Sequence, residues 1–326
     1  MKAVVITRLG GPEVLEIRDV PDPVAGAGEV LVRVRASALN RADLLQRRGL
    51  YPAPPGDPPD IPGLEFAGDV EFVGPGVASL VPGDRVMGIL GGGGHAEKVA
   101  IHERLCLRVP PRMTIEAAGA VPEAFLTAYD ALVTRGGLHA GQTVLIQAAA
   151  SGVGTAAASI ARVSGARVLG TSRSRDKRVR LERSFVDRAF DPEDDGLVDA
   201  IRLATNGEGV DLIVDLVGRA SWPIDLEVLA PRGRLVLVGT LSGARVEADL
   251  GLLMRKRLTV VGTVLRSRLP EEKMTVVRAF ARSILPLLAE GRLAPVVDRV
   301  VPARDVASAH AAMERNESFG KIVLVF

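Results

Sequence analysis

Cysteine is almost absent from this chain: Cys106 is the only one in 326 residues. One thiol excludes an intrachain disulfide and any cluster of thiolates around zinc. Aromatic residues make up only 3%, which argues against the stacking surfaces that bind single-stranded nucleic acid. An excess of one charge is missing too. The 41 Lys and Arg against 39 Asp and Glu leave +2, too little to draw the chain to nucleic acid or an anionic membrane. No apolar run is long enough to span a bilayer, and Met1-Lys2-Ala3-Val4-Val5-Ile6 enters a strand pattern without a signal-like apolar region. A cytoplasmic enzyme with a small-molecule substrate is the expectation, with neither nucleic acid nor membrane as partner.

What is present is enough apolar residue, 47%, to fill two cores over this length. The first 120 or so residues read as short strands between Gly and Pro: Ala3–Thr7, Glu13–Val20, Glu29–Ala38, Phe66–Val73, Arg85–Ile89 and a run near Ala96–Ala100. Tyr51 opens a proline-rich loop that runs to Pro59. From Pro122 the pattern changes to strands alternating with helices, which implies a parallel sheet covered on both faces. A helix is predicted over Glu123–Arg135 and a long one from Pro270 to about Leu288. The last segments are expected to rejoin the first domain. The fold class is therefore α/β, with a discontinuous domain of residues 1–122 and 268–326 and an inserted doubly wound domain of residues 123–267.

Thr143–Ala148 followed by Ser151-Gly152-Val153-Gly154-Thr155-Ala156-Ala157 reads as strand, tight turn and helix. That arrangement binds a dinucleotide pyrophosphate: glycines admit the phosphates and the helix start offers free N–H groups. Enzymes of this fold that use NAD place an acid about 20 residues past the turn. Here the next strand, Arg167–Gly170, leads into Thr171-Ser172-Arg173-Ser174-Arg175-Asp176-Lys177. Hydroxyls and cations at its tip suit a 2′-phosphate and predict NADPH. Asp176 is expected to cap the following helix. Two further strands end at Gly218 and Gly239, either as turn glycines or as cofactor contacts with the adjoining Leu241. Asp215 reads as a structural acceptor rather than a catalytic acid.

Ala36-Ser37-Ala38-Leu39-Asn40-Arg41-Ala42-Asp43, Gln46-Arg47-Arg48-Gly49-Leu50-Tyr51, Pro122-Glu123-Ala124-Phe125-Leu126-Thr127-Ala128, the Ser151–Ala157 turn, Leu265-Arg266-Ser267-Arg268 and Gly320-Lys321-Ile322-Val323-Leu324 occur in that order. Together they resemble the medium-chain dehydrogenase/reductase superfamily. Within it the chain is similar to the zinc-free NADPH:quinone oxidoreductases related to zeta-crystallin, most closely the tumour-suppressor-inducible subgroup. The resemblance implies a GroES-like β-barrel catalytic domain, a Rossmann cofactor domain, a cleft between them and a homodimer paired through Rossmann-sheet edges, here Arg234–Thr240 and Leu258–Val264. It also implies NADPH contacts at Asn40, Thr127, Ser151, Gly152, Val153, Gly154, Ser172, Arg173, Lys177, Gly218, Gly239, Leu241 and Leu265. Asn40 and Tyr51 are the implied donors to the acceptor's oxygen. Members often carry Tyr near position 192, where this chain has Pro192.

Zinc enzymes of the superfamily have Gly-His-Glu where Gly63-Leu64-Glu65 stands, and Leu64 cannot ligate a metal. His95, His102, His139 and His310 show no ligand spacing and are each expected on the surface or in a loop, and Cys106 in the core. Without a Lewis acid, quinones and α,β-unsaturated carbonyls are the expected hydride acceptors. A 2-enoyl-thioester reductase of fatty-acid or polyketide synthesis is the alternative. A non-catalytic NADPH-binding structural protein is the alternative of another class.

Overall fold

Along Glu29–Ala38 the side chains of Val30, Val32, Val34 and Ala36 are buried while Arg33 and Arg35 are exposed, the alternation of a half-buried strand. In the computed structural model, which describes residues 1–326, that strand is the spine of one of two units. The first unit is Met1–Leu126 with Leu265–Phe326, and the second is Thr127–Val264. The crossings fall a few residues inside the limits read from the sequence, so the inserted unit is shorter at both ends.

The first unit contains β1 (Lys2–Ile6), β2 (Leu15–Asp19), β3 (Glu29–Ala38), β4 (Glu65–Val73), β5 (Arg85–Ile89), β6 (Lys98–His102) and β7 (Cys106–Arg108). Helix α1 (Arg41–Arg47) lies between β3 and β4, and α2 (Ile115–Gly119) and α3 (Pro122–Tyr129) follow β7. The second unit begins within α3, which continues as a π-helical turn over Asp130–Arg135.

Six strands follow: β8 (Thr143–Ile146), β9 (Arg167–Thr171), β10 (Arg188–Phe190), β11 (Val210–Asp215), β12 (Leu229–Leu237) and β13 (Thr259–Gly262). Between them run α4 (Gly152–Val163), α5 (Arg175–Ser184), α6 (Leu197–Ala204), α7 (Trp222–Val228) and α8 (Leu250–Lys256). Back in the first unit come α9 (Pro270–Ser283), α10 (Leu285–Ala289), β14 (Val297–Pro302), α11 (Val306–Glu314) and β15 (Lys321–Val325). The single helix expected from Pro270 to Leu288 is broken at Ile284. Pro286 has no N–H to donate and its ring crowds the preceding turn, so the helix stops and restarts.

The first unit's main sheet has the order β14-β15-β3-β4-β5-β7, with β6 also on β3, and β1 pairs with β2. Val30, Val32, Phe66, Val70, Val86 and Ile101 pack into one core of this sheet, and Leu39, Leu44, Ile322 and Leu324 into another. The second unit is a parallel sheet in the order β10-β9-β8-β11-β12-β13. That is the 3-2-1-4-5-6 order of a doubly wound dinucleotide fold, whose ligands lie beyond the carboxyl ends of the strands. Leu145, Leu169, Ile213 and Leu235 are fully buried in its core. Of the two strands expected as sheet edges, only β13 is one. β12 is flanked by β11 and β13 and is interior. No helix is long and apolar enough to cross a membrane.

Candidate active site

In the second unit, the site-forming residues gather at the carboxyl ends of β8, β9, β11 and β12. Beyond β8, Ala148 takes a left-handed conformation (φ 52°) and its N–H is accepted by Thr171 Oγ1 at 3.1 Å. Ser151 caps α4, its Oγ accepting the Gly154 N–H at 3.0 Å. A Cβ on Gly154 would stand 2.6 Å from the carbonyl oxygens of Ala148 and Ala149, so turn and helix approach as closely as they do only because residue 154 is glycine. Gly152 and Val153 are partly exposed in the first turn of α4, where N–H groups have no intrahelical acceptor.

At the end of β9, Ser172 is buried and Arg173 exposed, while Lys177 is in the first turn of α5. The helix cap is Ser174, whose side chain accepts the Lys177 N–H, and not Asp176. Ser174 precedes the first helical residue, where a cap must sit, and Asp176 is already inside the helix. Arg178, which the sequence did not single out, fixes the turn. Its Nη1 donates to the carbonyls of Ser172 and Arg173, each at 2.7 Å, and to Asp191 at 2.8 Å. The Arg173 backbone is thus tied down while its side chain extends into solvent.

Gly218 has φ 85°, and a Cβ there would meet the Gly243 carbonyl oxygen at 2.8 Å. A Cβ on Gly239 would meet the Leu216 carbonyl oxygen at 2.9 Å. Leu241 is exposed and Thr127 buried. Leu265 is buried in the first unit.

A buried polar chain ties these strand ends together. Thr171 Oγ1 donates to Gln147 Oε1 at 2.6 Å, and Gln147 Nε2 donates to Asp225 Oδ1 at 2.6 Å. Asp215, as its sequence context suggested, is a structural acceptor, taking the Val217 and Gly218 N–H groups and the Ser221 hydroxyl. Burial first, then the charge of Asp215, pushes the Asp225 carboxyl well above the usual range. Asp225 therefore keeps its proton while Asp215, with three donors, carries the charge. A raised carboxyl makes folding less favourable as pH climbs from the unfolded-state value of about 4 toward the folded-state value. Asp225→Asn supplies the same donor and acceptor without titrating. It is expected to match or exceed the native chain in melting temperature at about pH 8, with the difference closing near pH 4, whereas Asp225→Ala melts lower at both. Thermal melts across that range check this.

In the first unit, Asn40 ends β3's approach to α1. Its side-chain N–H groups go to the Ala38 carbonyl at 3.1 Å and Glu65 Oε1 at 3.0 Å, and its Oδ1 accepts from Lys321 Nζ at 2.6 Å. Both donors are committed, so Asn40 is not a free donor for a substrate oxygen; what remains is acceptor capacity on Oδ1. Lys321 Nζ also reaches Glu65 Oε1 at 2.6 Å and the Leu39 carbonyl at 2.9 Å, and the two charged side chains are 5% and 0% exposed.

Tyr51 is held differently. Arg266, buried, stacks its guanidinium 4.9 Å from the Tyr51 ring centroid and donates to the Tyr51 carbonyl at 3.0 Å, the Gly91 carbonyl at 2.6 Å and Gln46 Oε1 at 2.5 Å. One guanidinium thus clamps α1, the proline-rich loop and the turn after β5. Burial raises the Tyr51 hydroxyl above its ordinary value, so it stays protonated.

One histidine expectation fails: His310 lies within α11 and is fully buried. His95 is in the loop between β5 and β6, as expected, yet it too is fully buried. Ser37 Oγ donates to the Glu65 carbonyl at 2.6 Å, so at 2.8 Å it must accept from His95 Nδ1. His95 Nε2 then faces Asp43 at 3.7 Å. Burial drives His310 down to about 3, so it is neutral. Cys106 is partly buried against the β3–β6 core, and desolvation lifts its thiol to about 12, so it is no nucleophile.

Residues 26–111 match the alcohol dehydrogenase GroES-like domain, and residues 152–282 match the family described as zinc-binding dehydrogenase. These two matches, on a barrel-type unit and a doubly wound unit, define the class: the chain belongs to the medium-chain dehydrogenase/reductase superfamily. Its full-length relatives narrow this to the quinone oxidoreductase family. The quinone oxidoreductase of Pseudomonas aeruginosa is 33% identical, the match covering 99% of each chain, and that of Lama guanicoe 31%, covering 100% of this chain and 97% of the other. The crystal structure of Escherichia coli quinone oxidoreductase complexed with NADPH superposes with a TM-score of 0.89 at 28% identity, over 100% of both chains.

Proposed function

We propose that the chain is an NADPH-dependent reductase that passes hydride to quinones or activated α,β-unsaturated carbonyls without a metal ion. The observation that carries the reading is the acid-free turn after β9, where Arg178 fixes the backbone and Arg173 extends from it. Beside it, Gly154 lets the turn after β8 pack against the first turn of α4, whose N–H groups without an intrahelical acceptor suit a phosphate. NADPH fits this donor set: Ser151, Gly152, Val153 and Gly154 would take the pyrophosphate, and Ser172, Arg173 and Lys177 the 2′-phosphate. Gly218, Gly239 and Leu241 line the neighbouring strand ends. Thr127 and Leu265, both buried, would contribute packing. The crystallised relative from Escherichia coli, complexed with NADPH, supports this choice.

Bound NADPH supplies hydride. The protein's part is to orient the acceptor, exclude water and meet the negative charge that develops on its oxygen. Leu64 in the Gly63-Leu64-Glu65 segment provides no ligand for a polarising metal, so conjugated acceptors, which spread that charge themselves, are favoured. Tyr51, protonated and clamped by Arg266, is the free hydroxyl for the acceptor's oxygen. Asn40 Oδ1 retains a lone pair for an amide or hydroxyl of a ligand. Calorimetric titration of the native chain tests the cofactor: NADPH should bind at least about 100-fold more tightly than NADH, as two charge-assisted bonds to a phosphate allow. Equal affinities would refute the assignment.

A further inference from the structure

We propose that Glu123 is the proton donor of the reduction, a neutral carboxylic acid set against the ionised Glu65. The proposal rests on reading the chain as a reductase, and it adds a residue that the sequence did not nominate.

Glu65 and Glu123 meet at the start of α3. Glu65 Oε2 accepts the Glu123 N–H at 2.9 Å, and Glu65 Oε1 takes Lys321 Nζ at 2.6 Å and Asn40 Nδ2 at 3.0 Å. Three donors, one of them a cation, fix Glu65 as the carboxylate. Glu123 has no such support: its Oε2 is buried with no hydrogen-bond partner. Two acids around one ammonium hold one proton between them, and it belongs on the acid without donors. Desolvation, followed by the charge of Glu65, raises Glu123 to about 8. The other charged groups that bear on it are Asp43 on α1, which raises it further, and Lys321 and Arg266, which lower it. Lys273 on α9 and the Tyr51 hydroxyl also feel its charge.

That value suits the task. A general acid works best when its pKa lies near the working pH, whereas the Tyr51 hydroxyl has been moved away from it. Two-electron reduction of a quinone to a hydroquinone takes one hydride and one proton, and Glu123 supplies that proton. As the hydride brings its electron pair to the acceptor, the O–H bond at Glu123 Oε2 breaks and an O–H bond forms on the acceptor's oxygen. Glu123 is left as the carboxylate, and a proton from solvent restores the acid once the product has left.

The test pairs infrared spectroscopy with kinetics. Without cofactor, the native-minus-E123Q difference spectrum, in which the protonated Asp225 cancels, should show a protonated-carboxyl band that disappears as pH rises through about 8. With NADPH and a small ortho-quinone, the native rate should fall through the same range. E123Q should be slower by about 10²- to 10⁴-fold and flat with pH, with its NADPH affinity unchanged by calorimetry. E65Q removes the neighbouring negative charge, so the band and rate midpoints should both move to lower pH together. A native chain with no such band at about pH 6, an E123Q variant with native rate and profile, or E65Q midpoints that move apart would each overturn the proposal. A native chain that oxidises NADPH with no quinone or enone overturns the reductase reading and the proposal with it, while the band still reports whether Glu123 holds its proton.

Discussion

The double variant R173A/K177A loses NADPH affinity by roughly 10²- to 10⁴-fold and keeps its affinity for NADH within about threefold. The size follows from two charge-assisted hydrogen bonds to a phosphate, each worth about 1.5–3 kcal/mol. Direction and selectivity follow from position. Arg173 is exposed and Lys177 partly so, at the end of β9 and the first turn of α5, whereas the Gly154 turn lies at the end of β8. Losing the two cations should leave pyrophosphate binding intact. The turn itself should survive, because Arg178 holds it through the backbone carbonyls of Ser172 and Arg173. R178A is the complementary variant: it weakens NADPH by releasing the turn, and it does so without removing either proposed phosphate ligand. Titration calorimetry with both coenzymes separates the cases. Equal losses for NADH and NADPH in R173A/K177A would mean that this turn does not read the 2′-phosphate.

Lys321→Met lowers stability by about 3–5 kcal/mol, the cost of leaving one member of a buried ion pair without its partner. Glu65 would keep only neutral donors, Asn40 Nδ2 and the Glu123 N–H, inside a fully buried site. Lys321 also bonds the Leu39 carbonyl and Asn40 Oδ1, so the variant loosens the start of α1 as well. Adding Glu65→Gln removes the uncompensated charge, and the pair E65Q/K321M should recover much of the loss. Calorimetric melting of the three variants reads this. A K321M variant as stable as the native chain would show that the pair contributes no net stability.

The parts of this architecture that depend on neighbours in sequence were legible from the residues. Thr143–Gly154 announces strand, turn and helix by its own composition, and the basic run at Arg173–Lys177 follows the next strand directly. The limits of β3 and β5 were those expected, since each is an alternating or apolar run between breakers. Side-chain partnerships across long separations were not legible. Lys321 meets Glu65, Glu65 meets Glu123, and Arg266 meets Gln46, Gly91 and Tyr51, and no local pattern encodes any of them. The same holds for Asn40: residue type marked it as a donor, but only the fold shows both N–H groups spent. The burial of His95 and His310 was hidden for a related reason. Composition favours an exposed histidine, while burial is set by what packs around it, here Ser37 and Asp43 for His95. Pro286 was visible in the sequence, yet the apolar periodicity on either side of it hid the break it causes.

Single-turnover stopped-flow of NADPH oxidation, with the protein treated with a chelator and in excess over coenzyme, tests the central claim of metal-free hydride transfer to a conjugated acceptor most directly. One equivalent of NADPH should be consumed with a small ortho-quinone, at a rate the chelator does not change, and consumption with crotonyl-CoA should be slower. Oxidation that requires added zinc, or that occurs with the thioester and not with the quinone, would contradict that claim.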